Sequence, residues 1–156
     1  MRLHLCAVGR LRAGPERALV DDYVQRFDRV GRPLGLGPLT AHEVEDRRGG
    51  GMAAEGALLA RAVPAGAALA VLDERGRMLD SPGLAATIAG WRDAGRQDAA
   101  FVIGGADGIA PSLCAAADVT ISLGPMVWPH MLVRVMLAEQ LYRAATILAG
   151  SPYHRM

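Results

Sequence analysis

The last residues of the chain place three chemically active side chains in consecutive positions. Tyr153, His154 and Arg155 supply an aromatic ring, an imidazole and a guanidinium. Such groups can stack on a flat heterocycle, exchange a proton near neutral pH and bind a phosphate or a ring carbonyl. Because a chain end more often frays without any role, the composition of this segment leaves both interpretations open.

A glycine turn is the second candidate. Residues 101–103 are fully apolar, and Gly104 and Gly105 follow them directly, with Gly108 three positions further on. Glycines at a strand end let a ligand approach the backbone closely, and they are equally typical of a tight turn between a strand and a helix. The spacing differs from the dinucleotide fingerprint G-x-G-x-x-G, and a chain without lysine cannot form a P-loop.

The third candidate is an apolar loop, residues 123–128, that precedes the last predicted helix. By composition such a loop packs into the core, or it walls off a pocket for a flat, partly apolar ligand such as an adenine ring; composition alone favours the core. His130 follows it, and a polar residue at a helix start is the simpler interpretation. The loop consists of Leu123, Gly124, Pro125, Met126, Val127 and Trp128.

Several other classes of site find no support in the sequence. There is no G-x-S-x-G nucleophile motif, and the four histidines follow no metal-binding spacing. Cys6 and Cys114 lie far apart in apolar runs, which predicts two small core residues and no zinc site. No signal peptide or membrane span is recognisable, so a reducing, cytoplasmic location is the default expectation.

Length and charge indicate one globular domain over residues 1–156. Of the 156 residues, 51% are hydrophobic and 21% are charged, and the formal net charge is +1. This balance excludes a protein that coats nucleic acid by bulk charge alone. The charge is uneven, however: residues 1–32 carry seven arginines and four acidic residues, and residues 134–156 carry three arginines and one glutamate.

The hydrophobic pattern predicts strands that alternate with helices. The strands are continuously apolar, which is typical of a mostly parallel sheet with helices on both faces. Ligands bind such sheets beyond the carboxyl ends of the strands, here after Leu72, Ile103 and Leu123. A polar turn at 73–76 follows the third strand, and Ser81 is the predicted cap of the next helix. We predict strands at 3–8, 35–44, 67–72, 101–103 and 119–123, and helices at 15–31, 52–62, 82–91, 111–117 and 131–149.

Several stretches together resemble the SPOUT class of RNA methyltransferases. More narrowly, the chain is similar to the small single-domain group that methylates N3 of a pseudouridine in bacterial large-subunit ribosomal RNA. The order of elements matches over essentially the whole chain. The stretches that carry the resemblance are Val8-Gly9-Arg10, Leu72-Asp73, Ile103-Gly104-Gly105 with Gly108, Pro129-His130, 132–135, 139–144 and Tyr153-His154-Arg155.

The resemblance implies a fold and a cofactor that the pattern alone does not. The last strands and the final helix would form a deep trefoil knot, and its loops would hold S-adenosylmethionine. The apolar loop would then wrap the cofactor and would not pack as core. A homodimer with active sites built from both chains is also implied, as is 23S ribosomal RNA within the ribosome as the partner. Carried over by position, the cofactor contacts are Leu72, Gly104, Gly105, Leu123, Gly124, Pro125, Met126, Val127 and Trp128.

The resemblance also assigns roles to polar residues. His154 and Arg155 would be catalytic, the first as a proton acceptor and the second as a stabiliser of ring or phosphate charge. Tyr153, Arg134 and His130 would contact the substrate. For Arg134, an exposed helix residue without a role is an equally good interpretation.

The chain departs from the family pattern at two places. Ala106-Asp107 stands where proline and glutamate are common, and Met126-Val127-Trp128 replaces smaller or different apolar residues. Two other functions remain open. One is a SPOUT-type methyltransferase that acts on transfer RNA, and the other is a non-catalytic nucleotide-binding module.

Overall fold

A five-stranded sheet organises the chain in the computed structural model, which describes residues 1–153. All five strands are parallel, in the order β2-β1-β4-β3-β5. The predicted α/β class and the parallel sheet are therefore confirmed. The elements are β1 (Arg2–Val8), α1 (Pro15–Gly31), a 3₁₀ turn (Arg32–Leu34), β2 (Leu39–Val44), α2 (Gly51–Ala62), β3 (Ala68–Met78), α3 (Ser81–Asp93), β4 (Asp98–Ile103), α4 (Pro111–Ala116), β5 (Val119–Ser122) and α5 (His130–Leu148).

Helices cover both faces of the sheet because alternate strand residues point to opposite sides. On one face, Leu5, Phe101 and their neighbours form a core with Phe27 of α1, Ile88 of α3 and Leu141 of α5. On the other face, a smaller core packs under α2 and α4; it contains Cys6, Leu59, Leu69, Val71, Ala100, Val102, Ile109 and Leu113. The expected layered arrangement with helices on both sides is confirmed.

The two cysteines differ in burial. Cys6 is fully buried, as expected of a core residue, and burial raises the pKa of its thiol to about 12. Cys114 is half-buried at the edge of the smaller core, so it fills that core only in part. Both thiols are free.

Three sequence predictions about element boundaries are wrong for local reasons. The strand predicted from residue 35 begins at Leu39, since residues 32–38 form a 3₁₀ turn and a loop. β3 does not end at Leu72 but continues to Met78. Its register shifts within the polar stretch, so that Leu72 and Arg77 both pair with Ile121. The strand predicted at 101–103 begins earlier, at the buried Asp98.

The third helix is capped one residue earlier than the sequence suggests. Asp80, and not Ser81, accepts the hydrogen bond from the backbone N–H of Gly83, at 2.7 Å. Ser81 instead donates to Oε1 of Gln140 at 2.7 Å, which ties α3 to α5. The predicted cap is therefore a contact between two helices.

Near the amino ends of the strands, polar side chains form hydrogen bonds with one another. Asp98 accepts two hydrogen bonds from Arg2, each 2.7 Å long, and lies 2.8 Å from Nε2 of His4. The second ring nitrogen of His4 lies 3.0 Å from Nε2 of His42 on the edge strand β2. The Arg2 guanidinium, followed by His4, holds the pKa of Asp98 below its usual range. This chain of contacts joins three neighbouring strands.

Candidate active site

A cavity of about 490 Å³ opens beside Leu72 of β3 and at the carboxyl ends of β4 and β5. The sequence placed a ligand after Leu72, Ile103 and Leu123, and the structure brings these three positions together, although β3 itself continues to Met78. The residues that line the cavity include the predicted Leu72, Gly104, Gly105, Leu123, Gly124, Met126, Val127, Trp128 and His130. They also include Met52, Asp73, Arg75, Ile109, Pro111 and Val133. Among the predicted cofactor residues, Pro125 is exposed and does not line it.

The glycine turn has no room for side chains. A Cβ on Gly104 would lie 2.5 Å from the carbonyl oxygen of Gly108, and one on Gly105 would lie 2.4 Å from Oε2 of Glu55. Gly108 has φ +92°, and its N–H donates to the carbonyl of Gly105 at 3.1 Å. Both interpretations of the turn therefore hold, because the glycines close a tight turn that also forms a wall of the cavity.

The apolar loop is a wall of the cavity and not part of the core. Met126 is 66% exposed and Val127 is 91% exposed, so the composition-based preference for core packing is wrong. Trp128 is half-buried, and its Nε1 atom is buried without a hydrogen-bond acceptor among the described residues. An indole N–H normally finds an acceptor when it is buried, so a ligand in the cavity is a suitable partner for Trp128.

Arg134 is buried, which contradicts the interpretation as an exposed helix residue. Only 4% of its surface is accessible. Its guanidinium donates to the carbonyls of Val8 and Gly9, the latter at 2.8 Å, and lies 3.5 Å from Glu43. Burial lowers the pKa of Arg134 and Glu43 opposes that shift. In this chain Arg134 fixes the loop after β1 to the start of α5.

Tyr153 lies on the outer surface of α5, away from the residues that line the cavity. Its ring lies 4.7 Å from that of Tyr142, and the guanidinium of Arg143 is 5.0 Å from its centre. Its hydroxyl donates to Glu139 at 3.3 Å. Along the helix, Tyr142 is about 18 Å from His130 at 1.5 Å per residue. The predicted catalytic residues His154 and Arg155 lie outside the described residues.

Glu139 and Arg143 lie four positions apart on α5 and form a structural ion pair of the kind that this spacing favours. Two nitrogens of Arg143 donate to Oε1 of Glu139, at 2.8 and 3.0 Å. The carboxylate raises the pKa of Arg143. No sequence pattern indicates that Tyr153 also packs on this pair.

A second cavity, of about 740 Å³, lies beside α1 and β2. Its polar groups are largely paired with one another: Arg17 lies 3.0 Å from Glu43 and 3.5 Å from Asp21, and Glu43 also accepts from the N–H of Leu11 at 2.9 Å. Arg134 reaches the same carboxylate. The charges of Arg17, Glu43 and Arg134 are therefore balanced by contacts within the chain.

Sequence reasoning missed Glu55 of α2. The helix was only weakly marked, and no local pattern connects residue 55 with a turn fifty residues later. In the structure its carboxylate packs on Gly105, and the neighbouring Gly56 lies so close to α4 that a Cβ there would be 2.5 Å from the Cβ of Ala110. Only the tertiary structure shows this contact.

Comparison with known proteins identifies the family. The family model described as "Predicted SPOUT methyltransferase" matches residues 1–154. The chain belongs to the SPOUT methyltransferase family. The resemblance found in the sequence is thereby confirmed, and the SPOUT fold implies the knot predicted for the last strands and α5.

Relatives of this SPOUT methyltransferase share its full length. Proteins named "Ribosomal RNA large subunit methyltransferase H" are 67% identical in Ruegeria sp. (strain TM1040) and 70% identical in Ruegeria pomeroyi, over 100% of both chains. The structure also resembles a probable methylase family protein from Haemophilus influenzae Rd KW20, with a TM-score of 0.51 and 11% identity, covering 99% of this chain and 70% of the other. That likeness concerns the fold.

Two further properties concern only residues 1–153. No helix there combines the length and apolar character that crossing a membrane requires. No group of three or more histidine, cysteine, aspartate or glutamate side chains in the same part of the chain is arranged to hold a metal ion.

Proposed function

We propose that this SPOUT methyltransferase transfers a methyl group from S-adenosylmethionine to N3 of a pseudouridine in 23S ribosomal RNA, and that it acts on assembled ribosomes in the cytoplasm. The observation that carries the proposal is the cavity beside Leu72 of β3 and the carboxyl ends of β4 and β5, in a chain that matches large-subunit ribosomal RNA methyltransferases along its whole length.

The residues of the cavity fit the cofactor. Its volume of about 490 Å³ lies in the range of small-molecule sites. The glycine turn offers backbone without side chains, and the loop with Met126 and Trp128 offers apolar surface for an adenine ring. The buried indole N–H of Trp128 offers a donor for which the described chain supplies no acceptor. Leu72, Gly104, Gly105, Leu123, Gly124 and residues 126–128 would hold the cofactor.

The reaction asks mainly for alignment and for removal of one proton. When bound, S-adenosylmethionine would supply an electrophilic methyl group on a sulfonium; a new bond from N3 to the methyl carbon would replace the carbon–sulfur bond, whose electron pair would stay on sulfur, and N3 would lose its proton. His154 accepts that proton, because imidazole is the side chain that most readily exchanges a proton near neutral pH. Arg155 stabilises the negative charge that develops on the ring carbonyls. Holding the base against the methyl group lowers the barrier further.

The tail serves the active site of a partner protomer. Tyr153 packs on Glu139, Tyr142 and Arg143 of α5. None of these three residues lines the cofactor cavity. Glu139 instead borders a separate apolar groove that Met78 and Leu84 also line. Tyr153 is therefore not among the residues that line the cofactor cavity of its own chain. In a homodimer the tail would supply Tyr153, His154 and Arg155 to the second chain.

Substrate choice follows from the charge of the chain. With a net charge of +1, the chain has little general affinity for RNA. Its positive charge is concentrated in residues 1–32 and 134–156, and His130 at the mouth of the cavity adds a polar contact. We therefore expect the enzyme, as a single domain, to rely on a folded ribosomal surface that presents the target.

Methyl transfer to defined RNA substrates tests the proposal. Intact ribosomes, separated subunits, naked 23S RNA and transfer RNA are incubated with methyl-labelled cofactor, and digested RNA is analysed for N3-methylpseudouridine. Label in 23S RNA of ribosomes supports the proposal. Label in transfer RNA would instead support the alternative SPOUT activity, and binding of ATP or NAD without any transfer would support a non-catalytic module.

Removal of the tail tests its catalytic role. A chain that ends at Pro152 lacks the proposed stacking ring, base and guanidinium, so methylation should fall at least about a thousandfold, on the scale of combined base and electrostatic catalysis. Calorimetry should show S-adenosylmethionine affinity within about threefold of the full chain. A truncated protein that methylates ribosomes at the full rate would contradict this role.

A further inference from the structure

Unsatisfied buried atoms concentrate around the cofactor cavity. Among the described residues, three buried side-chain atoms lack a hydrogen-bond partner, namely Glu55 Oε2, Trp128 Nε1 and Arg134 Nε. The Nε atom of Arg134 is part of a guanidinium whose two other nitrogens already donate hydrogen bonds to Val8, Gly9 and Glu43. Of the remaining two, Trp128 lines the cavity, and Glu55 packs against Gly105, which lines it. Native proteins rarely leave such atoms unpaired, because the cost is about 1–3 kcal/mol or more.

The position of Glu55 is fixed by close contacts. Its Oε2 lies 2.4 Å, and its Oε1 2.9 Å, from the point where a Cβ on Gly105 would stand. The next residue, Gly56, is buried against Ala110. Two consecutive positions of α2 thus rest on the segment that begins with the glycine turn. The Glu55 carboxylate lies directly against the backbone that forms the wall of the cavity.

The other acidic side chains at the cavity have partners or face solvent. Asp73 accepts from the N–H of Arg75 at 2.9 Å and from its Nε at 3.2 Å, and the first of these bonds is the main reason why the pKa of Asp73 is lowered. Glu74 and Asp107 are exposed. Within residues 1–153, no arginine or histidine forms an ion pair with Glu55. The Glu55 carboxylate therefore has no ion-pair partner within residues 1–153.

We propose that Glu55 recognises the positive charge of the methyl donor through the wall of the cavity; this inference rests on the proposed function. S-adenosylmethionine carries one net positive charge, whereas its product, S-adenosylhomocysteine, has lost the sulfonium and is neutral overall. A half-buried carboxylate beside the site favours the cationic form, because a charge in low-dielectric surroundings interacts strongly with its neighbours. Glu55 thereby favours binding of the donor over the spent product.

The ratio of two dissociation constants tests this role. Calorimetry without RNA gives Kd for S-adenosylmethionine and for S-adenosylhomocysteine with the full-length chain and with Glu55→Gln, which keeps the shape and removes the charge. We expect donor binding to weaken about tenfold or more, on the scale of a lost charge–charge interaction at reduced dielectric, and product binding to change less than about threefold. The matched control is Asp93→Asn, which removes an exposed carboxylate 65% accessible to solvent at the end of α3 and should leave both constants unchanged.

Three results would overturn the inference. Equal weakening of donor and product binding by Glu55→Gln would show a purely structural contact, and unchanged binding of both would show no role. If Glu55→Gln does not fold, Glu55→Asp retains the charge and must keep the donor-to-product ratio within about threefold of the unmodified chain; a changed ratio would also overturn it. If the unmodified chain binds neither compound, the proposed function itself fails.

Discussion

Buried polar groups are paired at one end of the parallel sheet and unpaired at the other. At the amino ends, Asp98, Arg2, His4 and His42 satisfy one another within hydrogen-bond distance. Beside Leu72 of β3 and the carboxyl ends of β4 and β5, the carboxylate of Glu55 and the indole of Trp128 are left without partners among the described residues. A network that is complete within the chain serves the fold, whereas a set of polar groups that lacks partners is arranged for a ligand.

Blocking the glycine turn should break this comparison most severely. In Gly104→Val, the new side chain would meet the Gly108 carbonyl, from which even a Cβ is only 2.5 Å away. The turn must then move into the cavity, and we expect S-adenosylmethionine to bind at least about a hundredfold more weakly in calorimetry. The control is Gly90→Ala on α3, where a Cβ meets no atom within 4 Å. Donor affinity equal to that of the unmodified chain would remove Gly104 from the site.

Changing Asp98 should affect the fold and leave the site intact. Asp98→Asn removes the carboxylate that holds Arg2 and His4, and we expect a loss of about 2 kcal/mol in the free energy of unfolding near neutral pH. Chemical denaturation measures that loss, and calorimetry should give an unchanged donor affinity. A large drop in donor affinity at unchanged stability would show that the two ends of the sheet do not divide their roles in this way.

The same substitution predicts a pH dependence with a definite sign. Because Arg2 lowers the pKa of Asp98 in the folded state, the carboxylate stabilises the fold above its unfolded-state pKa of about 3.9. That contribution is lost as the pH falls through the lower, folded-state pKa. The stability difference between the unmodified chain and Asp98→Asn should therefore shrink below about pH 4, and a difference that grows there would contradict the assignment.

The smallest effect should come from the indole N–H. Trp128→Phe keeps an aromatic wall but removes the unpaired N–H together with part of the ring surface, so donor affinity should fall about three- to tenfold, as for one hydrogen bond. The melting temperature without cofactor should fall only by the lost ring packing, since the described chain offers this N–H no acceptor. A lower melting temperature with unchanged affinity would show that the indole serves the fold.

The sequence predicted those parts of the molecule that depend on local patterns. Helices α1 and α5, the parallel sheet and the strand ends next to Gly104 and Leu123 follow from periodicity, proline and glycine positions, and apolar runs. The end predicted at Leu72 is wrong, because β3 continues through the polar stretch to Met78. The apolar composition of residues 123–128 favours core packing, because composition shows how polar a segment is and not where it lies in the fold. Only the resemblance to a family placed this loop at a cofactor site.

The remaining features depend on contacts between distant residues. Nothing local distinguishes Arg134 from an exposed helix residue, yet it is buried against the loop after β1. Glu55 lies fifty positions from the turn that it touches, and Asp98 is buried in a strand because Arg2 and His4 of the neighbouring strand satisfy it. Such burial is decided by tertiary packing, which a single sequence does not display.

A crystal structure of the full-length chain with S-adenosylmethionine tests the central claim most directly. We expect the cofactor in the cavity between the glycine turn and residues 123–128. Trp128 Nε1 should then lie within hydrogen-bond distance of an acceptor atom of the cofactor. Cofactor bound instead in the cavity between α1 and β2, beside Arg17 and Glu43, would contradict the assignment of the active site.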